Sequence, residues 1–318
     1  MSADSAAPTR RANWLAAAPP LFVLLWSSGF IGAKYGLPYA EPFTFLLIRF
    51  ALVTAILLVV ALAMRAPWPT HWRLIGHIAV AGLMIHATYL GGVFTAIHLG
   101  LPAGTAALIT ALQPLLTAVA AGPVLGERVT GRQWLGFGLG LFGVLLVVAN
   151  KMHLAEANLP AVACAVVAVL GITAGTLYQK RHCGGMDLRT GSIIQFAASG
   201  VAMLLLAPWL ETMTVQWTAD FLFALGWLTF VLSLGAISLL LVLIRRGAAA
   251  KTASLFYLVP PVTALIAWVM FGERMQAIGI AGMLVTIVGV AMCTASPLDA
   301  SSASRRGVNC KAHERRTG

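Results

Sequence analysis

The chain has 318 residues, of which 59% are hydrophobic and 10% charged, with 21 basic against 10 acidic side chains and a net charge of +11. A water-soluble domain carries about a quarter charged residues, so this chain cannot coat a globule of its size and most of its surface must face hydrocarbon. The basic excess sits mostly in short gaps between apolar runs, which suits headgroup anchoring and excludes the clustered basic face of a nucleic-acid binder.

A helix needs about 20 largely apolar residues to cross roughly 30 Å of hydrocarbon. Residues 1–14 read as a cytoplasmic N-terminal segment. Spans are then predicted at 15–35, 43–64, 74–97, 103–125 and 132–149, forming a first block over 15–149. A linker at 150–158 follows, expected on the periplasmic side. The second block, 159–295, holds spans predicted at 159–179, 190–210, 221–244, 249–271 and 276–294. Residues 296–318 are a polybasic cytoplasmic tail, expected to be disordered. The runs are continuously apolar and longer than barrel strands, which would alternate over about ten residues. The fold class is therefore an all-α membrane protein with ten transmembrane helices.

Orientation follows from the basic residues. With the N-terminus inside, the cytoplasmic segments hold Arg10, Arg11, Arg65, Arg73, Arg128, Arg132, Lys180, Arg181, Arg189, Arg245, Arg246 and Lys251, besides the tail. The opposite side holds Lys34, Lys151 and Arg274, and Arg49 lies inside the second span. This obeys the positive-inside rule and places both termini in the cytoplasm of a bacterial cell, with the chain multi-pass in the inner membrane.

An offset of 146 residues aligns the chain with itself without a gap. Pro114 meets Pro260, Gly126-Glu127-Arg128 meets Gly272-Glu273-Arg274, and Gly136 and Gly143 meet Gly282 and Gly289. Gly29 meets Gly175, Lys34 meets Lys180, and Phe50-Ala51 meets Phe196-Ala197. Each repeat carries five spans, an odd number, so the second enters the membrane upside down. Two inverted five-helix repeats are a common plan of secondary transporters. A membrane scaffold without transport is the plainer alternative.

Buried polar residues supply the candidate substrate cavity. Arg49 is an ionisable residue within a span, which is expensive unless it faces protein or water. It reads either as an anion contact or as an arginine that fixes packing or reaches the headgroups. His86 and Tyr89 share one helical face, and His86 is the central candidate for proton coupling. Gln113 precedes Pro114, and Tyr257 precedes Pro260 and Pro261; these prolines remove amide donors and are the expected hinges. Trp26 offers a ring beside Ser27 and Ser28. Gly136, Gly140 and Gly143 read as a packing face rather than a phosphate loop, because no Walker-type lysine follows. Cys164, Cys183, Cys293 and Cys310 match no metal or redox spacing, so no metal, cofactor or catalytic residue is expected.

The run Trp26-Ser27-Ser28-Gly29-Phe30, Pro42 followed by Arg49-Phe50, Pro114, and the two Gly-Glu-Arg motifs resemble the EamA family of the drug/metabolite transporter superfamily over about residues 15–295. The resemblance implies a non-enzymatic exporter of amino acids or related small metabolites, working by alternating access with proton coupling as an option. It also implies that spans three, four, eight and nine line the cavity, which favours His86, Tyr89, Gln113 and Tyr257 as wall residues, with Ser233 and Ser238 of span eight a weaker signal. Its partners would be a small-molecule metabolite, membrane lipid and protons. A carrier of sugar phosphates or lipid-linked substrates is the alternative within the same superfamily.

Overall fold

The computed structural model describes residues 7–101, 103–148, 159–246, 249–271 and 277–294. Among them the chain is helical except for turns and one isolated β-bridge between Ala40 and Val215. The helices are α1 (Ala7–Gly36), α2 (Pro42–Ala63), α3 (Trp72–His98), α4 (Ala103–Thr110), α5 (Gln113–Leu125) and α6 (Gly131–Val148). The second half supplies α7 (Leu159–His182), α8 (Leu188–Leu210), α9 (Ala219–Arg246), α10 (Ala249–Ser254), α11 (Val259–Phe271) and α12 (Ala277–Thr294). Among the described residues α2, α3, α7, α8, α9 and α12 are long and apolar enough to cross a membrane, and Ala17–Ala33 and α5 are shorter apolar stretches.

Local chemistry explains the ends. Pro42 opens α2 where its missing amide costs nothing. The Asp187 carboxylate accepts the amides of Arg189 and Thr190 to cap α8, and the Thr218 hydroxyl accepts that of Phe221 to cap α9. Gly126 closes α5 in the left-handed conformation, φ 70°, which glycine adopts freely. The Glu211 carboxylate, just past α8, caps α2 from outside: it accepts the amides of Phe43 and Thr44 at 2.6 and 2.7 Å.

Two apolar runs expected as single spans are divided. Pro114 has no amide to give the Thr110 carbonyl, so the chain turns at 111–112 between α4 and α5. In the other half a 3-10 turn, Leu255–Leu258, separates α10 from α11 just before Pro260 and Pro261. Pro114, Pro260 and Pro261 thus each lie just after a break in regular α-helix. A further irregularity was not foreseen: α3 loosens into a π turn at Leu83–Thr88 and α9 into another at Leu228–Ala236. Shifted by 146, the first falls inside the second.

The halves meet across an approximate two-fold. Phe50 on α2 and its counterpart Phe196 on α8 face each other, ring centroids 5.7 Å apart. On α6 and α12 the pairs cross. A Cβ added to Gly136 would meet the Gly289 carbonyl at 2.7 Å, and one on Gly143 would meet the Gly282 carbonyl at 2.6 Å. Each glycine therefore touches the mate of the other, which requires antiparallel helices and lets their backbones approach closely. The series Gly136, Gly140, Gly143 is a packing face, as expected.

The perimeter is apolar, with Val201, Leu204 and Leu205 on α8 exposed. Trp72, Trp209 and Trp217 lie exposed near helix ends, as interfacial anchors do. In the first Gly-Glu-Arg motif, Glu127 pairs with Lys180 at 2.8 Å and Arg128 is exposed. Gly272, Glu273 and Arg274, the linker at 150–158 and the tail at 296–318 lie outside the described residues.

Candidate functional site

The buried polar side chains concentrate around Arg49. Pro42 starts α2 seven residues earlier, so Arg49 lies about 10 Å along the helix, on the stripe shared with Phe45, Leu46 and Phe50. It is fully buried. Its Nε donates to Ser233 Oγ at 3.0 Å, and Ser233 donates in turn to the Leu228 carbonyl at 3.1 Å. That carbonyl and Ser233 belong to the π turn of α9, Leu228–Ala236. The two terminal nitrogens, Nη1 and Nη2, have no protein partner. No carboxylate pairs with Arg49 among the described residues.

His86 comes from the matching π turn of α3 and is also fully buried. Its ring stacks on Phe196, centroids 4.2 Å apart and planes 16° from parallel. It makes no hydrogen bond of good geometry at either nitrogen. Beside it Gln195 Nε2 donates to Gln179 Oε1 at 2.6 Å, leaving Gln195 Oε1 and Gln179 Nε2 unpartnered. Ser199 anchors this corner by donating to the Gly82 and Gln195 carbonyls. Gly82 is required here, because a Cβ would lie 2.5 Å from the Gln195 Cα.

Tyr89, one turn beyond His86, is buried with its ring stacked on Trp26 at 6.0 Å. Trp26 also meets Phe22 and Phe256 at 5.2 Å each, closing an aromatic wall. Between Trp26, Tyr89, Phe30, Phe94 and Leu232 runs a constricted cleft of about 20 Å³, space for about one water.

The structure therefore brings Trp26, Arg49, His86 and Tyr89 into one neighbourhood from α1, α2 and α3. Gln113 is buried at the head of α5, in the first turn after the break. Tyr257 lies elsewhere: its ring presses on Gly140 of α6, and its buried hydroxyl has no partner. Ser238 is exposed. Sequence reading missed Gln179, Gln195 and Ser199. A signal existed, since Gln195 occupies the position of Arg49 in the second repeat.

Chemically this is a buried polar cluster beside an aromatic wall, with one cation whose two terminal nitrogens have no protein acceptor. Such a fork matches a carboxylate or another planar anion bidentately. Among the described residues no cluster of three His, Cys, Asp or Glu side chains stands ready to hold a metal.

Comparison with known proteins gives a consistent picture. Residues 17–149 and 159–295 each match the EamA-like transporter family. The chain is 26% identical to the protein named "Uncharacterized transporter YvbV" of Bacillus subtilis, over 91% of this chain and 94% of that one. It is 25% identical to a "Probable amino-acid metabolite efflux pump" of Escherichia coli, covering 85% and 91% of the two chains. It is 27% identical to a "Probable terminal-alkyne amino-acid exporter" of Streptantibioticus cattleyicolor, covering 90% and 96%. A crystal structure with 18% identity shares the fold, with a TM-score of 0.73 over 87% of this chain and 96% of that one.

Proposed function

The chain belongs to the EamA-like transporter family, and from that premise we propose that it is a secondary transporter exporting amino acids or related small metabolites by alternating access. Ten spans in two inverted five-helix repeats, covering 15–149 and 159–295 with both termini cytoplasmic, carry the motion. Arg49 receives the substrate's carboxylate, and Trp26 and Tyr89 form the wall beside it. Gln113 and Tyr257 join the wall as the breaks at Pro114, Pro260 and Pro261 flex.

One observation carries this reading: Arg49 is fully buried, yet Nη1 and Nη2 have no protein partner. A buried, unpaired cation is costly, and families retain such groups at substrate pathways. The names of two relatives, an amino-acid metabolite efflux pump and an amino-acid exporter, support a carboxylate-bearing substrate. The crossed glycine pairs on α6 and α12 support the inverted arrangement.

The test is counterflow in liposomes. Purified protein preloaded with one amino acid accumulates its labelled form, and Arg49→Lys, which keeps charge but loses the planar fork, raises the half-saturating concentration at least tenfold. A broad amino-acid and metabolite panel showing no counterflow with folded protein overturns the reading. Proton coupling is assigned to His86, the titratable side chain stacked beside this pocket. His86→Ala flattens the pH dependence of uphill transport; an unaltered profile removes His86 from that role.

A further inference from the structure

A cavity of about 620 Å³ lies away from Arg49, between residues 18–20 of α1, the end of α9, α10 with the turn after it, and the last turns of α12. Its size falls within the roughly 300–1000 Å³ of small-ligand pockets. Pro19, Val242, Leu243 and Leu258 form apolar wall, with Arg246 at one end.

The architecture alone does not create this space. An offset of 146 maps Pro19, Val242 and Thr252 onto Ala165, Ala96 and Ala106. At the symmetry-related corner, where α7 meets α3 and α4, those three alanines are fully buried in one cluster. One of the two related corners is thus filled and the other open.

The lining selects the occupant. Its two threonine hydroxyls are used internally: Thr252 donates to the Leu243 carbonyl and Thr294 to the Val290 carbonyl. A water-soluble metabolite would find almost no polar partner. A hydrocarbon chain needs none, and the cavity opens at the apolar perimeter, where Ile287 is 53% exposed and Pro20 is exposed. At its polar end Arg245 is engaged with the Gly184 carbonyl, whereas Arg246 is exposed and borders the cavity. Among the described residues no acidic side chain lines it.

We propose that this cavity holds one acyl chain of an anionic phospholipid, with the phosphate against Arg246. The site is separate from the Arg49 pocket and does not depend on the transport reading. The chain moves from one hydrocarbon environment to another, so the discrimination comes from the headgroup: the basic side chain adds roughly fivefold for an anionic over a zwitterionic one.

Native mass spectrometry of the full chain, titrated with phosphatidylglycerol or phosphatidylcholine of equal chain length, tests this. The wild type retains phosphatidylglycerol about fivefold more tightly. Ala291→Trp, which fills the cavity, lowers retention of both lipids at least tenfold. Arg246→Gln, at an exposed position that spares the fold, removes only the phosphatidylglycerol preference. Equal retention of both lipids by the wild type, or unchanged retention in folded Ala291→Trp, overturns the proposal. Release of bound phosphatidylglycerol by millimolar amino acids would overturn it too, making the cavity a substrate vestibule.

Discussion

Arg49→Met separates a binding arginine from a structural one. The side chain is fully buried, with one nitrogen bonded to Ser233 and two without a protein partner. Methionine fills a similar volume without a charge. Replacing buried ionic groups by well-packed apolar ones is often stabilising by about 1–4 kcal/mol. Ser233 keeps its bond to the Leu228 carbonyl, so the change leaves no buried donor stranded. For a chain of this size the melting temperature should rise by about 1.5–6 °C. Transport should meanwhile fall steeply, since each charge-assisted bond to a carboxylate contributes about 1.5–3 kcal/mol. The assay is tryptophan-fluorescence melting of detergent-purified protein beside liposome uptake. A lower melting temperature for Arg49→Met, or transport at wild-type rates, refutes the reasoning and makes Arg49 a packing residue.

Three further outcomes test the frame around the site. Glu211→Ala removes the carboxylate that caps α2 across the chain, and should cost about 1–2 kcal/mol, read as a lower melting temperature and faster amide exchange at Phe43 and Thr44. Gly289→Leu puts a Cβ 2.5 Å from the Gly140 amide and should lower folded yield, with an overpacking cost of about 1–3 kcal/mol, whereas Gly138→Ala, which meets nothing within 4 Å, should be neutral. The Arg189 side chain, bonded to Asp187, holds the Asp187 carboxyl below the usual carboxylate range, with the Arg189 and Thr190 amides helping. Its folded-state pKa is depressed, so the stabilisation is present above the unfolded value and lost as pH falls through the folded one. Melting temperatures measured below about pH 4 should therefore drop more for the wild type than for Asp187→Asn.

Much of the fold was legible because hydropathy and charge act one residue at a time. The expected spans 43–64 and 190–210 correspond to α2 at Pro42–Ala63 and α8 at Leu188–Leu210. The prolines located the breaks in the runs 103–125 and 249–271 because a missing amide is a local fact. The π turns at Leu83–Thr88 and Leu228–Ala236 were not legible. They arise where facing helices meet, and neither stretch carries a proline or a charge. The same limit applies to the site. Arg49 stood out by its charge, but hydropathy does not say which way Tyr257 turns, and its ring faces Gly140. Gln195 was overlooked because glutamines near span starts are unremarkable until the repeat places this one opposite Arg49.

The most direct measurement is a structure of the protein with a transported amino acid bound. The account predicts the substrate carboxylate within about 2.7–2.9 Å of Arg49 Nη1 and Nη2, with the side chain against Trp26 and Tyr89. A substrate seated away from Arg49, with those two nitrogens still unpartnered, would contradict it.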